Sequence, residues 1–124
     1  MKVTGHIEFT IVEQSAEKVM AEMPVQPGIL NPFGTAHAGA MLWFADVAAT
    51  MLTFGGPEVK TGESGFPLAI SLNANFLGNQ SEGVFRATSV FVKKGKRLSV
   101  VRTTVTGADN KLIADITTSH VPAK

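Results

Sequence analysis

The 124-residue sequence contains no cysteine and no tyrosine, and only 17% of its residues are charged. Without cysteine, the chain can form no disulfide, no thiolate nucleophile and no cysteine-ligated metal site. Without tyrosine, a binding or catalytic site that uses a phenol is excluded. The formal net charge of +1 gives no electrostatic basis for binding nucleic acid.

Length and composition predict one globular domain that spans residues 1–124. Hydrophobic residues make up 44% of the chain, so its surface is expected to be rather apolar. Because a compact domain with few charges often hides apolar surface in an oligomer, we expect a homodimer. The N-terminus shows no apolar segment followed by a cleavage-site pattern, so no signal peptide is predicted and the cytoplasm is the expected compartment.

The spacing of apolar residues predicts two short strands, one long helix and then four further strands. The strands are predicted at residues 6–13, 18–25, 66–79, 84–93, 97–106 and 111–120. The helix is predicted to begin at His37 or Ala38 and to end before Gly55. The last four strands are expected to form an antiparallel meander. A curved antiparallel sheet wrapped around the helix, an α+β fold, would bury both faces of the helix.

One charged residue, Asp46, lies in the apolar run that forms the helix. Residues 36–54 barely reach the length of a membrane span, and the carboxylate within them makes a core helix the better interpretation. Burying an ionised carboxylate without a partner costs several kcal/mol. Asp46 therefore faces water, is paired, or serves a reaction.

The loop before the helix carries the pattern Asn31-x-x-Gly34-x-x-His37-x-Gly39, and Asp46 follows on the helix. This pattern resembles the hotdog-fold acyl-CoA thioesterases of the phenylacetate-pathway (PaaI-like) group, which typically show Asn-x-x-Gly-x-x-His-Gly-Gly and an Asp at the same distance. The resemblance extends through the later strands to nearly the whole chain. Ala38 replaces the first glycine after the histidine, but it retains the backbone N–H at that position.

The resemblance implies a hydrolase in which Asp46 is the general base or nucleophile and the Ala38 N–H, beside Gly39, stabilises the oxyanion. His37 and Asn31 would position the loop, the carbonyl, the water or the carboxylate. About 13 Å of helix axis separates the helix start from Asp46. This is too far for one helix to serve one carbonyl from both places, so the family's composite site across a dimer is expected.

Ser71 matches a hydroxyl position that helps to place water in some relatives. Each of these residues also has a simpler interpretation. Asp46 could be a helix carboxylate facing water, His37 a residue with a local hydrogen bond at the helix start, Asn31 an ordinary turn residue and Ser71 an ordinary strand residue.

A basic cluster lies at the predicted turn of residues 93–97. Within it, Lys96 and Arg97 are the residues we expect to contact the phosphates of coenzyme A, although a solvated hairpin tip is the alternative. His6 and His120 show no partner in the sequence. With no His-x-x-x-His spacing, no metal is predicted, and coenzyme A enters only as part of the substrate.

The expected partners are therefore an acyl-CoA and a second copy of the chain, with a homotetramer formed by sheet packing as a further alternative, and no nucleic acid or membrane. A non-catalytic hotdog module that binds an acyl-CoA is the main functional alternative. A hydratase or dehydratase on the same fold is less favoured, because the histidine-centred motifs of those relatives are absent.

Overall fold

The computed structural model describes residues 2, 5–55 and 67–122. These residues form strands β1 (Thr10–Gln14), β2 (Lys18–Pro24), β3 (Leu68–Phe76), β4 (Val84–Lys93), β5 (Ser99–Thr106) and β6 (Leu112–Val121), the helix α1 (Ala38–Phe54), and 3₁₀ turns at Pro27–Ile29 and Ala108–Asn110. The predicted order of two strands, one long helix and four strands is confirmed. The predicted start of the third strand, Phe66, lies outside the described residues.

The six strands form one antiparallel sheet in the order β1-β2-β4-β5-β6-β3. The hairpin of β1 and β2 is confirmed, as is a meander of β4, β5 and β6. The prediction that β3 belongs to this meander was wrong, because β3 pairs with β6 at the far edge of the sheet. An alternating pattern specifies which residues share a face of a strand, but not which strand lies beside it.

Strands β1 and β5 begin later than predicted. At β1 the reason is that a side chain binds backbone groups that a strand would pair. Residues 6–9 precede β1, and there the N–H of Glu8 donates to Gln26 Oε1 (2.8 Å) while Gln26 Nε2 donates to the Glu8 carbonyl (2.8 Å). Before β5 the turn continues through residues 97–98, and it is closed by Ser99, whose hydroxyl bonds the backbone of Gly95. Local hydrogen bonds of this kind compete with strand pairing.

Helix α1 packs against all six strands. Its buried residues are Ala40, Met41, Phe44, Ala45, Ala48, Ala49, Thr50 and Leu52. Burial of a large apolar side chain such as Phe44 contributes about 1.5–3 kcal/mol. The helix ends at Gly55, which takes the left-handed conformation (φ 75°) while its N–H donates to the Met51 carbonyl. No helix among the described residues is long and apolar enough to cross a membrane.

The prediction that both faces of α1 are buried was wrong within one chain. Trp43 is 46% exposed, and Leu42 and Asp46 are half-buried. Only the face toward the sheet is covered. The other face of α1 is therefore available to another molecule.

Strand β3 forms an edge of the sheet and exposes apolar side chains. Leu72 and Ala74 lie opposite Thr118 and Ile116, two β6 residues buried under α1, so their side chains share the face toward the helix. A strict alternation would place Leu68 on this face as well, but the bulge between Ala69 and Ser71 puts Leu68, which pairs with Val121, on the opposite face. The apolar residues are nevertheless exposed, with Leu72 at 42% and Phe76 at 48%. Long apolar edges of this kind are typical sites of pairing with another chain.

Candidate active site

Asn31 shapes the loop that leads into α1. Its Oδ1 accepts hydrogen bonds from the N–H groups of Phe33 (2.9 Å) and Thr35 (3.2 Å), and its Nδ2 donates to the hydroxyl of Thr35 (3.0 Å). An asparagine that bonds the backbone two residues later is a common way to fix a turn. The oxygen and the nitrogen of the Asn31 amide are therefore both hydrogen-bonded within the loop before α1, whereas Asp46 lies further along that helix.

His37 caps the N-terminus of α1. Its Nδ1 accepts a hydrogen bond from the Ala40 N–H (3.0 Å), and its Nε2 lies 3.3 Å from the carbonyl oxygen of Gly28. Since an acceptor at Nδ1 leaves the ring proton on Nε2, we assign the neutral tautomer that donates to Gly28. Both ring nitrogens therefore serve the chain's own backbone, which fits the predicted role of orienting the loop.

Ala38 and Gly39 present the free amides of the helix start. Both residues are exposed, and first-turn N–H groups have no partner within a helix. These two amides, together with the helix dipole, form a site that favours negative charge. A Cβ on Gly39 would lie 3.2 Å from Nδ1 of His37, so glycine leaves room for the capping ring.

Asp46 lies two turns further along α1 and is half-buried. Among the described residues it makes no side-chain hydrogen bond or ion pair. Burial raises the pKa of Asp46 above its ordinary value, and attraction to His120 opposes this rise. A carboxylate with a raised pKa is better suited to accept a proton during a reaction.

His120, on β6, is a site residue that sequence reasoning missed. It is only 2% exposed, and the expectation that it has no partner was wrong, because its Nε2 shares a 2.7 Å hydrogen bond with the hydroxyl of Thr118. Its Nδ1 is buried and has no hydrogen-bond partner within the described chain. Burial lowers the pKa of His120, whereas the charge of Asp46 acts in the opposite direction. Because side chains alternate along a strand, the sequence of β6 indicates that His120 lies on the same face as Ile116. This is the signal from which the burial of His120 could have been predicted.

His6, the other histidine for which no partner was expected, also has one. Its Nε2 lies 3.0 Å from Oε1 of Glu8 in an exposed pair. This contact is remote from the candidate site in the sequence, and it involves no residue of the predicted motif.

A cavity of about 240 Å³ lies at the C-terminal end of α1. It is lined by Thr53, Phe54, Pro67, Gly95, Lys96, Arg97, Leu98, Ser99, His120, Val121 and Pro122. The structure thus brings Lys96 and Arg97 to the same cavity as His120, which in turn interacts with Asp46. No group of three or more residues suited to hold a metal ion occurs in the described part of the chain.

Ser71 is not brought to this cavity. It pairs with Ser119 of β6, whose neighbours Thr118 and His120 are buried toward α1. Because side chains alternate along a strand, Ser71 lies on the face of the sheet away from the helix. Asn31, His37 and Ala38 lie at the N-terminal end of α1, so one chain does not gather the predicted site residues in one place.

Comparison with known proteins identifies the fold and family. A solved structure described as a hypothetical thioesterase with coenzyme A, from Streptococcus pneumoniae, matches 97% of this chain and 92% of its own with a TM-score of 0.82 and 15% identity. A Bacillus subtilis protein named as an esterase, ComA2, is 30% identical over 103 residues, which cover 83% of this chain and 79% of that protein. The chain belongs to the hotdog-fold thioesterase family.

A second relative of this hotdog-fold thioesterase is the 1,4-dihydroxy-2-naphthoyl-CoA hydrolase of Listeria monocytogenes. It is 26% identical over 113 residues, which cover 91% of this chain and 87% of that enzyme. No protein-family model matches the chain. The predictions of a hotdog fold and of the thioester-hydrolase class are confirmed at the level of the family.

Proposed function

We propose that this hotdog-fold thioesterase hydrolyses acyl-CoA thioesters, as a member of the phenylacetate-pathway (PaaI-like) group, with Asp46 as the reacting carboxylate. The observation that carries the proposal is the state of Asp46: half-buried, with a raised pKa and no hydrogen-bond partner among the described residues. The name of the Listeria relative and the coenzyme A in the Streptococcus structure support an acyl-CoA as substrate.

In the simpler form of the reaction, Asp46 takes a proton from a water molecule as that water attacks the thioester carbonyl carbon. The carbonyl oxygen becomes an oxyanion, which the Ala38 and Gly39 amides stabilise. The C–S bond then breaks, and the proton held by Asp46 passes to the leaving sulfur, so the products are a carboxylic acid and coenzyme A. Direct attack by Asp46, followed by hydrolysis of the resulting anhydride, gives the same products.

A homodimer completes this site in the proposal. The helix start and Asp46 are separated by about 13 Å of helix axis, so the oxyanion amides at one Asp46 come from a second copy of the chain. The exposed apolar edge of β3 supports such a pairing, with Ile70 at 54% and Leu68 at 59% exposed. A homotetramer would add contacts through the outer face of the sheet.

Lys96 and Arg97 bind the phosphates of coenzyme A in this proposal. They line the cavity that His120 also lines. When the nucleotide part of coenzyme A is bound there, the acyl chain extends toward Asp46. Arginine is well suited to phosphate because its guanidinium donates two parallel hydrogen bonds.

Hydrolysis of short, medium and aromatic acyl-CoAs, followed by thiol release, tests the proposal. Asp46→Asn is expected to lower kcat by about 10²- to 10⁴-fold, the usual contribution of a positioned general base. Asp109→Asn makes the same chemical change at an exposed turn and is expected to leave kcat unaltered. Equal activity of Asp46→Asn and wild type would falsify the role of Asp46.

A non-catalytic module that binds an acyl-CoA is the second candidate. It is favoured by one observation, that the side chains of Asn31 and His37 are already engaged within the chain. It predicts that acyl-CoAs raise the melting temperature of both wild type and Asp46→Asn while no thiol is released from any of them.

A further inference from the structure

The side chain of Asn79 joins the loop before α1 to the sheet. The Ala36 N–H donates to Asn79 Oδ1 (3.1 Å), and Asn79 Nδ2 donates to the Ala36 carbonyl (2.9 Å). One amide side chain therefore binds both polar groups of one residue, 43 positions away in the sequence. No other side chain among the described residues bonds both backbone groups of Ala36.

The two residues before Asn79 are hydrogen-bonded to β6, which fixes the position of Asn79. The N–H groups of Leu77 and Gly78 both donate to the carbonyl of Ile113, at 2.8 and 3.1 Å. A Cβ on Gly78 would lie 2.9 Å from the carbonyl oxygen of Leu112, so the backbone here approaches β6 more closely than other residues allow. The Asn79 Oδ1 also accepts the Gln80 N–H (2.9 Å), which fixes the orientation of the amide group.

Ala36 is followed directly by the groups that would stabilise the oxyanion. It is 4% exposed and precedes His37, whose ring caps the helix, and then the exposed amides of Ala38 and Gly39. A shift of the Ala36 backbone would therefore move the cap and the free amides together. Catalytic groups misplaced by about 1 Å can lower a rate by about 100-fold.

We propose that Asn79 is a positioning residue, which holds the start of α1 in the place required for its free amides to stabilise the oxyanion. This inference rests on the proposed function, since it assigns a role to the amides in hydrolysis. Asn79 does not contact the substrate in this role. It acts through Ala36, and its own position is set by β6.

Asn79→Ala and Asn79→Asp test this role, each measured by steady-state kinetics and by amide hydrogen exchange. Asn79→Ala is expected to lower kcat by about 10- to 100-fold with little change in KM, because the oxyanion forms only during the reaction. Exchange of the Ala36 amide is expected to accelerate. Asn79→Asp keeps the acceptor and removes the donor to Ala36. It is expected, like Asn79→Ala, to lower kcat and to accelerate exchange of the Ala36 amide.

Gln26→Ala is the matched control. Gln26 binds both backbone groups of Glu8 at 2.8 Å, so its loss removes a clamp of the same kind from the N-terminal segment. If Gln26→Ala and Asn79→Ala lower stability and kcat equally, Asn79 has a structural role only and the proposal is overturned. It is also overturned if Asn79→Ala accelerates exchange at Ala36 while kcat stays within twofold of wild type.

Failure of the proposed function gives a different result. In that case neither wild type nor any of the variants releases thiol from any acyl-CoA. Accelerated exchange at Ala36 in Asn79→Ala would then still establish the clamp, but the role in hydrolysis would be refuted along with the hydrolysis.

Discussion

Replacing Asp46 by asparagine is expected to stabilise the fold at neutral pH. The carboxyl group of Asp46 has a pKa raised above its ordinary value of 3.8, chiefly because burial disfavours the charged form. At pH values above the raised pKa, the folded protein therefore carries an ionised group that would be better solvated in the unfolded chain. Asparagine has nearly the same shape and no charge, so the variant lacks this penalty.

The size of the gain follows from the pKa. Each unit by which folding raises the pKa of Asp46 corresponds to about 1.4 kcal/mol of stability lost at neutral pH. Since Asp46 is only half-buried, solvent screening reduces the effect. For a domain of this size, 1 kcal/mol changes the melting temperature by roughly 3–5 °C.

The stability difference between Asp46→Asn and wild type also changes predictably with pH. As the pH falls from the raised pKa toward 3.8, wild type takes up a proton at Asp46 on folding and regains stability, whereas Asp46→Asn does not. His120 adds to this difference. Its pKa is already lowered from 6.5 by burial, and without the charge of Asp46 it falls further, so the variant loses more stability below pH 6.5. The advantage of the variant therefore shrinks on acidification.

Urea unfolding of wild type and Asp46→Asn at pH 7.5 and pH 4.5, at one protein concentration, measures this difference. Asp109→Asn, at an exposed turn, serves as the control. If Asp46→Asn is less stable than wild type at pH 7.5, or if its advantage grows on acidification, then the carboxylate of Asp46 is stabilised in the fold and the reasoning from burial is wrong.

Three further substitutions test other parts of the site. Gly39→Ala places a methyl group about 3.2 Å from Nδ1 of His37; loss of the cap, about 1 kcal/mol, is expected to cancel the similar gain from the higher helix propensity of alanine, so the urea midpoint is expected not to rise. Arg97→Ala is expected to raise KM for acyl-CoAs but not for acyl-pantetheine thioesters, which lack the nucleotide, whereas Lys18→Ala alters neither. In the proposed mechanism Asp46 is the reacting carboxylate, and His120→Gln removes the charge that lowers its pKa, so the acidic limb of kcat/KM is expected to move to higher pH; a uniform loss of rate would indicate packing alone.

Features fixed by neighbouring residues could be predicted from the sequence. The helix bounds follow from a cap at His37 and a stop at Gly55, and the strand Val84–Lys93 was predicted at its observed bounds because turn residues flank it. Asp46 was recognisable as the one charge in an apolar run. These signals are local, and the physical rules that relate them to structure act over a few residues.

Features that depend on distant contacts could not be predicted. The place of β3 beside β6 depends on pairing between strands that are far apart in the sequence, which alternation along β3 does not encode. Only when β6 packs under α1 does Nδ1 of His120 become buried and His120 come close enough to be attracted by Asp46. Asn79 was predicted only as the end of the strand of residues 66–79, because its partner Ala36 is 43 positions away.

The contact between Asn79 and Ala36 also bears on the order in which the protein folds. The backbone hydrogen bonds of the helix are local in the sequence, whereas the loop before it is bonded to Asn79, which reaches its place only when β3 has paired with β6. Contacts that close long loops form late, since they cost more chain entropy. We expect protection of the Ala36 amide to develop after that of the helix, so that the proposed oxyanion site is among the last parts of the molecule to be completed.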